Sequence, residues 1–162
     1  MGKISKIIGT GALMASSAAV AGIYVAVQEE KRLDKMEEVN QKNICFYNLL
    51  VQWLELKQQG TSLKEYFEFN GYQSVAVYGM KELGERLVEE LKDTGIEVKY
   101  VIDRNKDIVV TDLPKYTPDE DLPEVDVMVV TAVYYYGDIA EEMEEKVSFP
   151  IVSLEDVVYG LA

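Results

Sequence analysis

The residues of this chain best placed to do chemistry surround a glycine turn, Gly79-Met80-Lys81-Glu82-Leu83-Gly84, set between a short apolar run and an amphipathic stretch. Such a turn lets the backbone bend sharply after a strand, and the helix that follows offers unpaired N–H groups to an anion. In the dinucleotide-binding version three glycines act. The first bends the chain, the second admits a diphosphate, and the third lets helix and strand pack closely. Gly79 and Gly84 hold the first and third places, and Lys81 holds the second, where it offers a positive charge instead of room for close approach. Asp103 follows at roughly the 20-residue spacing at which a carboxylate accepts hydrogen bonds from ribose hydroxyls. Thr131 ends a later apolar run, and its position would line the same crevice.

The candidate nucleotide-binding set is therefore Gly79, Met80, Lys81, Gly84, Asp103 and Thr131. The triple Tyr134-Tyr135-Tyr136 could add a stacking face for a base or could simply cover the sheet. A plainer reading stands beside this one. The glycines would serve only turn and packing, and Asp103 would open the surface turn Asp103-Arg104-Asn105-Lys106.

Composition removes many rival chemistries. The chain has 162 residues, no histidine and one cysteine, Cys45. Ser-His-Asp and Cys-His catalysis, an intramolecular disulfide and a thiolate zinc site are all excluded. The formal net charge of −13, from 16 basic and 29 acidic residues, repels phosphate backbones, so no nucleic-acid partner is expected. The carboxylate clusters Asp119-Glu120-Asp121 and Glu141-Glu142 with Glu144-Glu145 read as solvated helix and loop faces, and no metal site is expected.

The elements that must position the turn alternate. Ser74 to Tyr78 reads as a strand, Lys81 to Thr94 as a helix with Leu83, Leu87, Val88 and Leu91 on one face, and Ile96 to Ile102 as a second strand. Val127 to Thr131 is a nearly unbroken apolar run, as a strand covered on both sides requires. Asp138 with Glu141 has capping-box spacing for another helix. Pro150 to Val152 followed by Ser153-Leu154-Glu155-Asp156 gives a last strand and capped helix. This alternation predicts an α/β fold, a small doubly wound parallel sheet of about four strands. Between the second and third strands, residues 107–124 read as a proline-rich loop with an edge β piece at Ile108-Val109-Val110.

Three segments are expected: an N-terminal membrane anchor over 1–28, a helical linker over 29–71 and the α/β domain over 72–162. Ile7 to Gln28 carries no charge and is long enough to span a hydrocarbon core of about 30 Å as one helix. A cleaved secretory signal, with Lys3 and Lys6 before and Ala19-Val20-Ala21 as a processing site, and a buried helix are the alternatives. Gly11, Ala15 and Ala19, and again Ala18, Gly22 and Ala26, have the small-residue spacing through which anchors self-associate. Lys31, Arg32 and Lys35 after the span favour a single-pass cell-membrane protein with its domain in the cytoplasm. Residues 29–43 are charged and helix-favouring, a solvated spacer. Phe46, Leu49, Leu50, Trp53 and Leu54 then mark a helix with one buried face that ends near Gly60. Ser62 with Glu65 caps a short helix that Asn70-Gly71 stops.

The segments VAVYGMKELGERLVEEL, VKYVIDRN, VDVMVVT and PIVSLEDVV resemble the Rossmann-type nucleotide-binding domain of nucleoside-diphosphate-sugar epimerase-like proteins, and the N-terminal domain of bacterial sugar O-acyltransferases, over residues 72–162. The combination with an anchor and helical linker also resembles small proteins of anaerobic Gram-positive bacteria. The resemblance implies that Gly79, Gly84 and Asp103 hold NAD(P) or a nucleotide sugar. It does not extend to catalysis: the epimerase pair is Tyr-x-x-x-Lys, and none of the 11 tyrosines here has a lysine four residues later. The acyltransferase histidine has no counterpart. A non-catalytic, membrane-anchored nucleotide-binding module is thus expected. An interaction protein with a ligand-free core, and an enzyme acting through a tyrosine or Lys81, are the alternatives.

Overall fold

The computed structural model describes the backbone of residues 2–162 and the side chains of residues 23–162. It divides into two compact units, Met1–Ile44 and Cys45–Ala162. The first belongs to helix α1 (Gly2–Gln59). Side chains 23–44 are exposed almost throughout, as a charged spacer requires. The expected span over 7–28 lies, for residues 7–22, outside the described side chains, as do most of the small residues counted above. Among the described residues no helix is long and apolar enough to cross a membrane.

The second unit is α/β. Five parallel strands, β1 (Ser74–Tyr78), β2 (Glu97–Ile102), β3 (Lys115–Tyr116), β4 (Val127–Val130) and β5 (Ile151–Ser153), lie in the order β3-β2-β1-β4-β5. The chain starts in the middle, builds to one side, then returns to build the other. That doubly wound order leaves a crevice beyond the carboxyl ends of β1 and β4.

Strand alternation sends odd and even residues to opposite faces. Val75, Val77, Val101, Val127 and Val129 pack on one side. Leu83, Leu87 and Leu91 of α3 (Glu82–Leu91) and Leu154, Val157 and Val158 of α5 (Leu154–Tyr159) cover them. Ala76, Tyr78, Tyr100, Ile102, Met128 and Val130 face the other way, against Ile139 and Met143 of α4 (Tyr136–Glu144). Both faces are thereby buried, which is why β1 and β4 read as unbroken apolar runs. The Tyr100 hydroxyl, which burial and then Tyr116 push up to about 12, donates to the Pro123 carbonyl at 2.6 Å.

The structure corrects several local expectations. Leu49 and Trp53 lie on a buried face of α1 as the spacing predicts, and with Leu56, Leu63 and Phe67 they join the core on the α3 side. Leu50 and Leu54, placed by periodicity on the buried face, are exposed, and Leu56 is buried instead. The edge strand is not Ile108-Val109-Val110: a 3₁₀ turn occupies Lys106–Ile108, Ile108 and Val110 face solvent, and β3 takes the edge. The sheet has five strands rather than about four because β3 pairs over two residues only, too short for a pattern. Helix α3 is shorter than 81–94, since Asp93 and Gly95 take positive φ. No capping box opens at Asp138: α4 begins at Tyr136 after the 3₁₀ turn Val133–Tyr135, with no side-chain cap. The Ser153 box with Asp156 is present as read.

The connection between Tyr116 and β4 is held by carboxylates. Asp126 accepts from the N–H groups of Gln73 and Ser74 and from the Ser74 hydroxyl at 2.7–2.9 Å, tying the start of β4 to the start of β1. Those three bonds, the Gln73 amide first, hold its pKa below the usual 3.8. Lys106, then the Thr117 amide and hydroxyl, hold Glu120 down at about 2. A carboxylate whose folded pKa is depressed adds stability above its unfolded value and loses it as pH falls through the folded one. Stability is therefore expected to decline between about pH 4.5 and pH 2. Circular-dichroism melts of Asp126→Asn and Glu120→Gln against pH should show a flatter acid limb than the parent, and an unchanged limb would refute the assignment.

Candidate functional site

The backbone ladder continues one residue beyond the strands and brings three candidate residues side by side. The Gly79 N–H donates to Ile102 at 2.8 Å, the Thr131 N–H to Tyr78 at 2.9 Å, and the Asp103 N–H to Tyr116 at 3.0 Å. Gly79, Asp103 and Thr131 thus end β1, β2 and β4 at the same edge of the sheet, on the crevice.

Gly79 takes φ +96°, a region open to glycine and costly for other residues. Its carbonyl turns back onto Gly84, where an added Cβ would stand 2.0 Å from that oxygen. Gly79 makes the bend and Gly84 the close helix–strand packing, the roles of the first and third fingerprint glycines. Thr131, 5% exposed, directs its hydroxyl to the Gly79 carbonyl at 2.6 Å, within 3.1 Å of that of Tyr78. The hydroxyl is committed to fixing the crook, so Thr131 positions the turn and does not present a free group to the crevice.

Met80 is split between two environments. Its side chain lies in the apolar core beneath α3, and its N–H donates to Asp103 Oδ2 at 3.2 Å. Only its backbone belongs to the site. The other oxygen, Oδ1, accepts from the Asn105 N–H at 2.8 Å. Asp103 therefore turns toward the glycine crook while also closing its own surface turn. The two readings of this residue are compatible, because each carboxylate oxygen has a second lone pair for a hydroxyl donor.

Lys81 is exposed at the N-cap of α3, and no side chain caps that terminus. The first-turn N–H groups of a helix have no partners within it, so they point outward here. The signal missed in the sequence is the charge beside them: Glu82 and Glu85 stand in the same first turn. With Asp103 bonded to the Met80 amide just before them, they make the start of α3 rich in acceptors, with Lys81 as the adjoining cation. Arg86 pairs with Glu85 at 3.5 Å, and Arg104 is drawn off to Glu142 and the Tyr78 hydroxyl. Hydroxyl donors suit such a site better than an unaccompanied diphosphate, whose charge Lys81 alone would have to balance.

After Thr131 the chain enters the 3₁₀ turn, where Tyr134 and Tyr135 meet edge to face with centroids 5.2 Å apart, each partly exposed. The Tyr136 hydroxyl instead donates to the Ile151 carbonyl at 3.1 Å and braces α4 on β5. Of the triple, the first two present ring surface and the third is structural. Three carboxylates of the acidic clusters serve ion pairs: Asp119 and Glu142 each meet Lys146 at 3.0 Å, and Glu120 meets Lys106 at 2.6 Å. In comparison with known proteins, the chain matches no family model, no curated protein and no solved structure.

Proposed function

We propose that the unit Cys45–Ala162 is a non-catalytic, Rossmann-like module that binds a nucleotide or nucleotide sugar, NAD(P) included, at the switch point between β1 and β4. The observation that carries this reading is the corner formed by Gly79, Gly84 and Asp103. It joins a bend at positive φ, a helix start packed onto it, and a carboxylate reaching the amide beside the bend. Asp103 would receive ribose or sugar hydroxyls, the first-turn amides of α3 and Lys81 would face a phosphate, and Tyr134 and Tyr135 would offer a face for the base. The module is non-catalytic on this reading, since among the described residues no acid/base pair is positioned at this corner.

A second reading, a partner-docking protein whose core carries no ligand, draws support from one observation. The polar groups of the crook are already satisfied internally, Thr131 by Gly79 and Asp103 by the Met80 and Asn105 amides. A thermal-shift panel of NAD+, NADP+, UDP-sugars and coenzyme A on the full chain separates the two. A ligand at 100 times its Kd adds about 2.7 kcal/mol to stability. Stabilisation by one member supports binding, and silence across the panel favours docking.

We further propose that residues 7–28 anchor the module in the cell membrane with the α/β unit in the cytoplasm. The uncharged run in the sequence and the exposed apolar side chains of Ile23, Tyr24, Val25 and Val27 support this. Carbonate-resistant sedimentation with membranes is the expected outcome, and release into the supernatant would contradict it.

A further inference from the structure

Helix α1 carries a second apolar stripe that the core of the α/β unit does not use. Leu49, Trp53 and Leu56 are taken into that core. Tyr47, Leu50 and Leu54, on a neighbouring face of the helix, are 67%, 37% and 57% exposed. They follow each other at spacings of three and four, and the sequence continues that spacing upstream through Asn43 and Asn40 to Met36 and Leu33. Leu33 and Met36 are 59% and 61% exposed. Alternating three-four spacing is the heptad seam of a coiled coil, with Leu33, Asn40, Tyr47 and Leu54 at a and Met36, Asn43 and Leu50 at d.

We propose that two copies of this chain pair in parallel and in register along α1, through a two-stranded seam from Leu33 to Leu54. Three features select a second copy as the occupant. The seam is self-complementary, since a heptad stripe is both knob and hole for its own kind. Asparagine at an a position, here Asn40, specifies register and oligomer state in a two-stranded seam, where it meets its own counterpart. Flanking charge also fits: in a parallel pair, the g residue Arg32 of one chain faces the e residue Glu37 of the other. The next such pairs, Val39 with Ile44 and Phe46 with Val51, are apolar.

Parallel alignment follows from the gradient along the helix. Arg32 and Glu37 flank the first heptad of the seam and the apolar Val39, Ile44, Phe46 and Val51 the rest, so an antiparallel partner would lay Arg32 and Glu37 against the apolar end at Leu50 and Leu54. Beside Leu50 and Leu54 the surface is also concave. A groove of about 330 Å³ between α1 and α3, walled by Trp53, Arg86 and Glu89, is large enough to seat a side chain of the second copy.

The test is made on the full chain in detergent micelles, with Cys45→Ser as background. Asn40→Cys is expected to form a disulfide-linked dimer on mild oxidation, with Glu38→Cys, on the outer face, at least about tenfold less efficient. Sedimentation should give a dimer that Leu50→Glu with Leu54→Glu converts to monomer. The melting transition of the α/β unit should stay in place, because both side chains are on the surface. A monomeric parent, equal cross-linking at the two cysteines, or a dimer that survives the double substitution would overturn the proposal; the last would assign pairing to the anchor instead.

Discussion

Replacing Gly84 by alanine is expected to cost about 3 kcal/mol, the upper end for overpacking a core, and to lower the melting temperature by about 10–15 °C. The added Cβ would lie 2.0 Å from the Gly79 carbonyl oxygen and 3.1 Å from its carbon. Neither atom is free to move. The Gly79 amide is tied to Ile102, and its carbonyl holds the Thr131 hydroxyl. The strain must therefore fall on α3, lifting Leu83, Leu87 and Leu91 off the sheet. Gly137→Ala supplies the control. It lies in α4 with nothing within 4 Å of the added methyl, so replacing a helical glycine there should stabilise by about 0.5–1 kcal/mol. Thermal melts of the two variants should move in opposite directions. A Gly84→Ala melt that coincides with the parent would mean that the turn and α3 are not packed as described.

Glu90→Ala is the second large effect, expected at about 2–3 kcal/mol. The Glu90 side chain is only 7% exposed, and it gathers four donors from elements distant in sequence, the Ser62 hydroxyl at 3.5 Å being the longest. Trp53 Nε1–H donates at 2.7 Å, Lys57 Nζ at 2.9 Å and the Leu63 amide at 2.9 Å. One carboxylate thus joins the end of α1 and the start of α2 (Lys64–Asn70) to α3. Removing it leaves an indole N–H and a backbone N–H buried without an acceptor, and such orphaned donors carry most of the cost. Glu90→Gln should fall between, since its amide nitrogen sets a donor against the indole. Urea unfolding should show a lower midpoint at an unchanged slope, the mark of lost stability rather than altered compactness. A midpoint within error of the parent for Glu90→Ala would contradict the assignment.

Much of the α/β unit is legible in the sequence because its signals are local. β1 and β4 are apolar on both faces, α3 has one apolar face, and Ser153 and Asp156 form a cap by their own spacing. The misreadings share a different origin. Leu50 and Leu56 exchange places because two apolar faces overlap on α1, and a periodicity cannot say which one meets the sheet. β3 exists only because β2 lies beside it, a tertiary cause with no local trace over two residues. Val109, although one of the three residues read as an edge strand, is buried beneath the loop without pairing.

At the crevice, the spacing of glycine turn and acid singles out Gly79, Gly84 and Asp103, which the fold brings to one corner. It does not reveal that the hydroxyl of Thr131 and the side chain of Met80 are spent on the scaffold. The distinction depends on which neighbour each atom meets across the sheet. Glu90 was invisible for the same reason: its partners lie far along the chain, and a glutamate on an exposed-looking helix carries no mark of burial.

Isothermal titration of NAD+ and of UDP-glucose into the full chain and into Asp103→Asn is the most direct test of the crevice as a nucleotide site. Asparagine preserves the size of the side chain and can still accept from the Met80 amide, but it loses the paired acceptors a ribose diol needs. Saturable heat with one ligand, weakened at least about tenfold by the substitution, is the predicted result and corresponds to about 1.4 kcal/mol. No heat from either ligand at millimolar concentration, or equal binding by parent and variant, would contradict the account.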